Sequence, residues 1–514
     1  MHSESGLTEA LSKGTRLEEL SKFLDAAAHY QTLLDKHPLN AELWYRTGAA
    51  LRRGGEIDAS LPFLEKASLL APDTIEIELE LGNALQQRRR LGEAVVAYNR
   101  VCAIDPENLS ALTNKAIALH EGGHLEDALT ALETATSLAP DDPVILLNLG
   151  TALLKKGRLS EALTRFQSAA ELAPDYAEAW SSLAVALQAE HRYKDSLLAH
   201  EKALALAPNS PDIHWNRGIT LLLLGSYTEG FREWEFRRSI PALRSREFPG
   251  EDWDGGEIEG KSILVHAEQG AGDTIQFARF LRILSDRGAH VIFSVHRGLS
   301  ALAETVPGVS QVIVGEDAPP HYDCQVPLLS LATRLGIDLD MIPASIPYMS
   351  LPCGTVSPLP PANADRRIGL VWAGNPRHPN DHNRSCPFQE IQTLFSLSDI
   401  EWVNLQVGEQ TEEAEVQFAG LTQPEKPLTN FMETAAAIRE LDLVISVDTS
   451  VAHLAGALGH PVWILLPHAP DWRWMADRSD SPWYPTARLF RQSTPGNWKT
   501  VITDVSNALM ALDN

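Results

Sequence analysis

Prolines stand at Pro38, Pro72, Pro106, Pro140, Pro174 and Pro208, each 34 residues after the one before. Other positions keep the same period. Leu17, Leu51, Leu85, Leu119, Leu153, Leu187 and Leu221 are all leucine, while Gly14, Gly48, Gly82, Ala116, Gly150, Ala184 and Gly218 are all small. A second small set recurs at Ala26, Ser60, Ala94, Ala128, Ala162, Ser196 and Gly230, and a large set at Tyr30, Leu64, Tyr98, Leu132 and Phe166. Each proline ends one helix and opens the next unit. Small residues let facing helices approach, and the large set fills the gaps between them. The period therefore predicts stacked helix pairs over the first half of the chain.

This pattern, as in SLAVALQAEHRYKDSLLAHEKALALAP, resembles the tetratricopeptide (TPR) repeat family over roughly residues 5 to 240, about seven helix pairs. The resemblance implies a superhelix whose concave groove takes a peptide or protein. Asn114, Asn148 and Asn216 share the repeat position that tends to face that groove in the family. An amide there both donates to and accepts from a peptide backbone.

The segment FRRSIPALRSREFPGEDWDGGEIEGKS breaks the period and reads as a connector. Beyond it, apolar runs alternate with helical patterns. SILVH, HVIFSV and VSQVIVG read as strands, with DTIQFARFLRILSDRG and GLSALAETV as helices between them. A second set runs from RIGLVWAGN through EWVNLQV, NFMETAAAIREL, DLVISVD and VAHLAGALG to PVWILLP. Such alternation predicts parallel sheets covered by helices. The Pro-rich SLPCGTVSPLPPANADRR between the sets divides them into two Rossmann-like domains facing a cleft. The expected fold class is α + α/β: a TPR array over 1–240, a connector over 241–261, one Rossmann-like domain over 262–360 and a second over 361–514. The last helix, about Trp498 to Leu512, is expected to pack over the cleft.

A net charge of −25 and a pI near 5.1 argue against a nucleic-acid or anionic-membrane surface. Cys102, Cys324, Cys353 and Cys386 are scattered, without a C-x-x-C pair, so neither a zinc site nor a disulfide framework is expected. The opening MHSESGLTEALSKG lacks a signal-peptide apolar run, and no stretch is long and apolar enough for a membrane span, so a cytoplasmic location is expected.

Neither sheet carries G-x-G-x-x-G in full, since Ile275 stands at the third glycine position. A P-loop and a G-x-S-x-G elbow are also absent. The better anion site follows DLVISVD, where Thr449 and Ser450 open a helix at the carboxyl end of a strand. His453, one turn in, adds a third candidate donor. A capping threonine beside a core histidine accounts for the same residues without a ligand. Asn375, Arg377 and Arg384 follow the first strand of the second domain, where an arginine could neutralise a leaving phosphate. The His378/His382 pair lacks further ligands for a metal. Asp252-Trp253-Asp254 and Asp338-Leu339-Asp340 match D-x-D but follow no nucleotide-binding strand, so they are read as surface carboxylates.

Asp448-Thr449-Ser450-Val451-Ala452-His453 resembles the D-T-G-x-x-H motif of heptosyltransferase-like GT-B glycosyltransferases, which holds the donor's diphosphate. Ser450 stands where that motif has glycine. ILVHAEQGAGDTIQF resembles the family's opening strand and Gly-Asp turn. The resemblance maps the catalytic base onto Asp273, with Gln269, Gly270 and Gly272 as the acceptor-side loop. The whole order is similar to protein O-GlcNAc transferases, and closer to bacterial TPR glycosyltransferases associated with flagellin glycosylation. PHAPDWRWMADRSDSPWYPTARLFRQ looks typical of that bacterial group; Trp472 and Trp474 within it either line the donor pocket or pack the domain edge.

The resemblance implies transfer of a hexosyl, N-acetylhexosaminyl or nonulosonyl group from a nucleotide-sugar to a hydroxyl of a protein acceptor, flagellin being one candidate. Transfer would be inverting, with no metal and no cofactor. Asp273 also fits a plain helix cap. Rival readings are a transferase acting on lipopolysaccharide or another glycan, and a TPR scaffold with an inactive GT-B domain.

Overall fold

The structure, a computed structural model, describes residues 2–244, 246–315, 317–378, 380–407 and 420–512, with side chains from residue 11 onward. The chain divides into two compact units, Met1–Ala186 and Leu187–Asn514.

The first unit is a helical solenoid. Its pairs are α1 (His2–Glu19) with α2 (Phe23–Leu34), α3 (Ala41–Arg53) with α4 (Ile57–Leu70), α5 (Ile75–Gln87) with α6 (Leu91–Ile104), α7 (Leu109–Glu121) with α8 (Leu125–Leu138), and α9 (Pro143–Lys155) with α10 (Leu159–Leu172). The unit boundary falls inside α11 (Ala177–Ala189). The periodic small residues sit where helices touch. A Cβ placed on Gly82 would lie 2.5 Å from the Tyr98 ring, and one on Gly150 would lie 2.6 Å from the Phe166 ring. Both rings are buried. The second small set, Ala26, Ser60, Ala94, Ala128 and Ala162, is fully buried. Pro38, Pro72, Pro106, Pro140 and Pro174 all fall in the turns between pairs. The Trp44 and Trp180 indoles donate to the carbonyls of Pro38 (2.8 Å) and Pro174 (3.0 Å), tying those turns to the following helix.

The second unit opens with α12 (Tyr193–Leu206), α13 (Pro211–Leu223) and α14 (Tyr227–Trp234). A four-stranded parallel sheet follows, ordered β3-β2-β1-β4, with β1 Ser262–His266, β2 His290–Val295, β3 Val309–Val314 and β4 Cys324–Pro327. A five-stranded parallel sheet is ordered β6-β5-β7-β8-β9, with β5 Arg366–Val371, β6 Ile400–Asn404, β7 Leu443–Val447, β8 Val462–Leu466 and β9 Ala487–Arg491. The α + α/β class stands. The expected strands are present, and β4 and β9 are additional.

The expected helix from Asp273 is in fact broken. It runs as α15 (Ala271–Phe277), a 3-10 turn over Ala278–Phe280 and a short helix over Leu281–Asp286. The other long helices are α16 (Phe431–Ile438), α17 (Ser450–Ala457) and α18 (Trp498–Met510). α18 does not close the cleft. Its Trp498, Val501, Ile502, Val505 and Leu509 share an apolar core with Ile368, Leu370, Ile445 and Leu465 on one face of the second sheet. Its apolar stripe finds that face already apolar, and burying the stripe there is the larger gain.

The segment read as a connector is docked rather than loose. Trp253 and Ile258 are buried, and Trp253 N donates to Gln325 O at 2.8 Å, which extends the sheet alongside β4.

Candidate active site

β1 ends at His266, and the chain turns through Glu268, Gln269 and Gly270 into α15. Gln269 holds φ +49°, a left-handed conformation that non-glycine residues rarely adopt. Gly270 precedes the first helical residue, and Asp273 reaches back so that its Oδ2 accepts from Gly270 N at 2.9 Å. Its Oδ1 accepts from Arg473. The Asp273 side chain is 17% exposed.

Arg473 is the hub of the site. Its Nε donates to Gln276 Oε1 on α15 at 2.7 Å, and its Nη1 donates to Asp471 Oδ1 at 2.7 Å. The guanidinium lies 4.5 Å over the Trp472 ring. One buried cation thus ties α15 of the first sheet to the 472–474 turn of the second. Met475, the next residue, holds φ +56°. Two backbone conformations unusual for non-glycine residues therefore flank the ion pair, as at many functional sites.

From the second sheet, β7 delivers Asp448, and Thr449 leads into α17. The Thr449 hydroxyl bonds the Ser446 hydroxyl (3.0 Å) instead of capping the helix, so the first amides of α17 have no side-chain cap. Ser450 holds no backbone conformation that demands glycine; the positive-φ non-glycines among the described residues are Ser21, Arg89, His191, Gln269, Asp399 and Met475.

Burial, and then the Asp471 carboxylate, push the Asp448 carboxyl up to about 6, against the pull of Arg384 and Arg473. The site thus holds a carboxyl that protonates just below neutrality. His453 is buried. Its Nδ1 lies 2.9 Å from the Tyr484 hydroxyl, its Nε2 is 3.9 Å from Asp448 Oδ1, and its ring stacks on Trp474 at 5.2 Å. Burial, then the Arg473 and Arg279 charges, hold its pKa well below the usual range, so it is neutral.

α15 and α17 meet at their first turns. A Cβ on Gly272 would lie 2.9 Å from His453 Cδ2 and 3.6 Å from Ser450 Cα. The missing side chain at Gly272 is taken up by this helix contact, whereas Gln269 and Gly270 are exposed. In the loop after β5, Arg384 donates to Asp381 Oδ1 at 3.2 Å and is close enough to lower Asp448's pKa. Asn375 spends its side-chain oxygen on Arg377 N (3.0 Å), and the Arg377 side chain is exposed. Pro379 of this loop lies outside the described residues.

Trp472 and Trp474 are both buried. Trp472 meets Phe231 and Trp234 of α14 edge-on, each at 5.6 Å, and Trp483 at 5.9 Å. The end of the repeat helices, α15 and the 472–474 turn thus share one aromatic core. The sequence reading missed Arg473, Asp471 and Gln276. The available signal was an arginine between two tryptophans, since an arginine flanked by buried rings must itself be paired.

The repeat asparagines are engaged locally. Asn114 donates to Asn83 Oδ1 (3.0 Å), which also accepts from the Tyr98 hydroxyl (2.8 Å). Asn148 folds back onto Val144 O at 2.8 Å, whereas at Asn216 it is the main-chain carbonyl that accepts, from the Thr220 hydroxyl at 3.3 Å. Of the D-x-D carboxylates, Asp252 pairs with Arg238 at 2.6 Å, Asp254 caps Gly256 N at 2.9 Å, and Asp338 caps Leu339 N at 2.8 Å. Among the described residues no group of three or more His, Cys, Asp or Glu is placed to hold a metal, and no helix is long and apolar enough to cross a membrane.

Comparison with known proteins matches a part of each half. Tetratricopeptide repeat profiles match residues 11–73, 85–147 and 119–186. The glycosyltransferase family 9 (heptosyltransferase) profile matches residues 409–476, a stretch that includes Asp448, Thr449, Ser450, His453 and Arg473. Protein FlbA of Caulobacter vibrioides (strain ATCC 19089 / CIP 103742 / CB 15) is 26% identical over 332 residues, 57% of this chain and 54% of that protein. The chain thus spans about half the length of the curated relative it matches.

Among solved structures, the Cut9–Hcn1 hetero-tetramer of the APC/C is 18% identical with a TM-score of 0.38, covering 45% of this chain and 49% of its own. YrrB, described as a TPR protein with an unusual peptide-binding site, is 21% identical with a TM-score of 0.30, covering 36% of this chain and 95% of its own. The chain carries tetratricopeptide repeats together with a glycosyltransferase family 9 domain, a combination that fits a TPR glycosyltransferase.

Proposed function

We propose that this protein transfers a sugar from a nucleotide-sugar donor to a hydroxyl of a protein acceptor held by the repeat array. The observation that carries the reading is the meeting of the Asp273 turn with the uncapped start of α17 around one buried arginine. The family 9 match over the α17 side supports glycosyltransfer. The two sheets act as a GT-B pair, with 262–360 on the acceptor side and 361–514 on the donor side. The repeat array covers 1–240, and 241–261 joins the two. No cofactor or metal takes part, and the protein works in the cytoplasm.

In this reading the donor's phosphate sits at the α17 start, where free amides and the helix dipole favour an anion. Thr449 and Ser450 add hydroxyl donors, and Asn375, Arg377 and Arg384 close over the leaving group. Neutral His453 keeps Asp448 and the helix start in place. Asp448, whose pKa burial raises to about 6, carries less charge against that phosphate only as pH falls toward that value.

The acceptor hydroxyl enters beside Gln269 and Gly270. Asp273 takes its proton as the oxygen attacks the anomeric carbon and the phosphate leaves with the bonding pair, which inverts that centre. Before this, Asp273 must exchange its Arg473 contact for the acceptor hydroxyl. Asn114, Asn148 and Asn216 would contribute to acceptor binding, the first two by releasing their local side-chain bonds. Flagellin is one acceptor of this class.

A thermal-shift screen against UDP-, GDP-, ADP- and CMP-sugars tests donor binding. Intact-mass measurement of co-expressed candidate acceptors tests transfer. Stabilisation by a nucleotide-sugar with added sugar mass on a protein is the expected pair of results. Added mass on a glycan alone would move the acceptor to lipopolysaccharide or a related glycan. No stabilisation by any donor would leave a scaffold with an inactive domain.

A further inference from the structure

Arg237 lies on the 3-10 turn directly after α14, the last repeat helix, and is fully buried. Its Nη2 donates to Glu268 Oε1 and Oε2 at 2.9 and 3.3 Å and to Ser330 Oγ at 2.9 Å. Its Nη1 donates to Glu235 Oε2 at 2.9 Å, and Ser330 Oγ donates to Glu235 Oε1 at 2.6 Å. The guanidinium stands 4.6 Å over the Trp234 ring. Glu268 also accepts from Leu329 N at 3.2 Å and is itself buried.

Glu268 is the residue before Gln269, in the loop from β1 to Asp273. That loop contains the left-handed Gln269, and such a conformation persists only where its surroundings over-determine it. The Arg237–Glu268 pair is the buried polar anchor at this point. For stability alone, a buried pair of this kind is replaceable by apolar side chains of similar volume. What an apolar pair could not do is aim a loop through directed bonds.

We propose that Arg237, supplied by the end of the repeat array, is a positioning residue for Asp273: it fixes Glu268 and through it the loop that carries the base. The proposal rests on the transfer reading given above. It has a structural consequence as well. A fragment cut at the end of the repeat pattern, near residue 240, loses Arg237 together with the aromatic face of α14. The catalytic half therefore begins inside the repeats.

The test uses the full chain. Arg237→Met alone strands the buried Glu268 carboxylate and is compared with the double variant Arg237→Met/Glu268→Leu, which keeps the volume and removes both charges of that pair, while Glu235 keeps the Ser330 hydroxyl and Arg238 at 3.7 Å. Arg237→Lys retains one cationic contact and serves as the rescue arm. Amide hydrogen exchange over residues 267–274 and steady-state kinetics, with the nucleotide-sugar that most stabilises the wild type, are read in parallel. The double variant is expected to keep a folded thermal transition and to exchange the loop amides at least about ten-fold faster. Its kcat is expected to fall by about 10–100-fold while the donor KM stays within about two-fold, as a small misplacement of a catalytic group would produce. Arg237→Lys should recover part of kcat.

Loop exchange at the wild-type rate in the folded double variant would overturn the proposal. So would an unchanged kcat, or a KM that moves as far as kcat. A wild type that turns over no nucleotide-sugar would sink the transfer reading instead, with the exchange arm still deciding whether Arg237 holds the loop.

Discussion

Replacing Arg473 with methionine should destabilise the Leu187–Asn514 unit, and more at pH 8 than at pH 5. Methionine keeps most of the aliphatic stem, so the loss is chiefly that of the guanidinium and its place over the Trp472 ring. Asp273, Asp471 and Gln276 all lose a donor. Removing one partner of a buried ion pair costs about 3–5 kcal/mol. For a unit of this size that is a fall of roughly 4–7 °C in Tm.

The pH dependence follows from Asp448. Its folded pKa, about 6, lies above the ordinary value of 3.8, so the folded state binds this proton more tightly than the unfolded chain. Stability from this group is therefore lost as pH rises from 3.8 to about 6, and is level above that. Arg473 is one of the cations that hold the value down, so the variant raises it further and keeps losing stability above pH 6. Thermal unfolding of the full chain, followed by tryptophan fluorescence at pH 5 and pH 8, reads both effects. An unchanged Tm at pH 8, or an equal loss at the two pH values, would contradict these roles of Arg473 and Asp448.

Three further outcomes are expected. Gly150→Ala gains up to about 1 kcal/mol of helix propensity but drives a methyl into the Phe166 ring, at a cost of about 1–3 kcal/mol, so it should lower Tm. Gly92→Ala, also helical but with nothing within 4 Å of the added carbon, should raise Tm slightly; the same sign for both would discredit the packing account. Asp448→Asn should stabilise the protein by about 1–3 kcal/mol at pH 8 and have little effect at pH 4, where the wild-type carboxyl is already protonated. Chemical denaturation of both proteins across that range checks it.

The solenoid was legible because one period fixed several contacts at once. Gly82 and Tyr98, or Gly150 and Phe166, are each repeated partners, and no other fold explains their spacing. Most strands were equally plain, since buried parallel strands read as short apolar runs such as LVISV and VWILL. β4 escaped because CQVP is short and ends in proline, and β9 because ARLFR carries two arginines that break the run.

For the site, the sequence brought out the Asp273 turn and the Asp448–His453 strand end, both local patterns. It did not bring out the link between them. Arg473 meets Asp273 and Gln276 about two hundred positions away, and such a pairing leaves no periodic trace. The role of Gly272 changed for the same reason. Its neighbour in space is His453, and only the fold shows that the glycine is needed for the contact of two helices.

In the proposed reaction Asp273 removes the acceptor's proton. The direct test is the Asp273→Asn chain, assayed for sugar transfer with the donor and acceptor that the wild type uses, alongside donor-dependent thermal stabilisation. Transfer reduced by about 10²–10⁴-fold, with the donor still stabilising the variant, is the expected result. Transfer at a near-wild-type rate by Asp273→Asn would contradict the base role of Asp273.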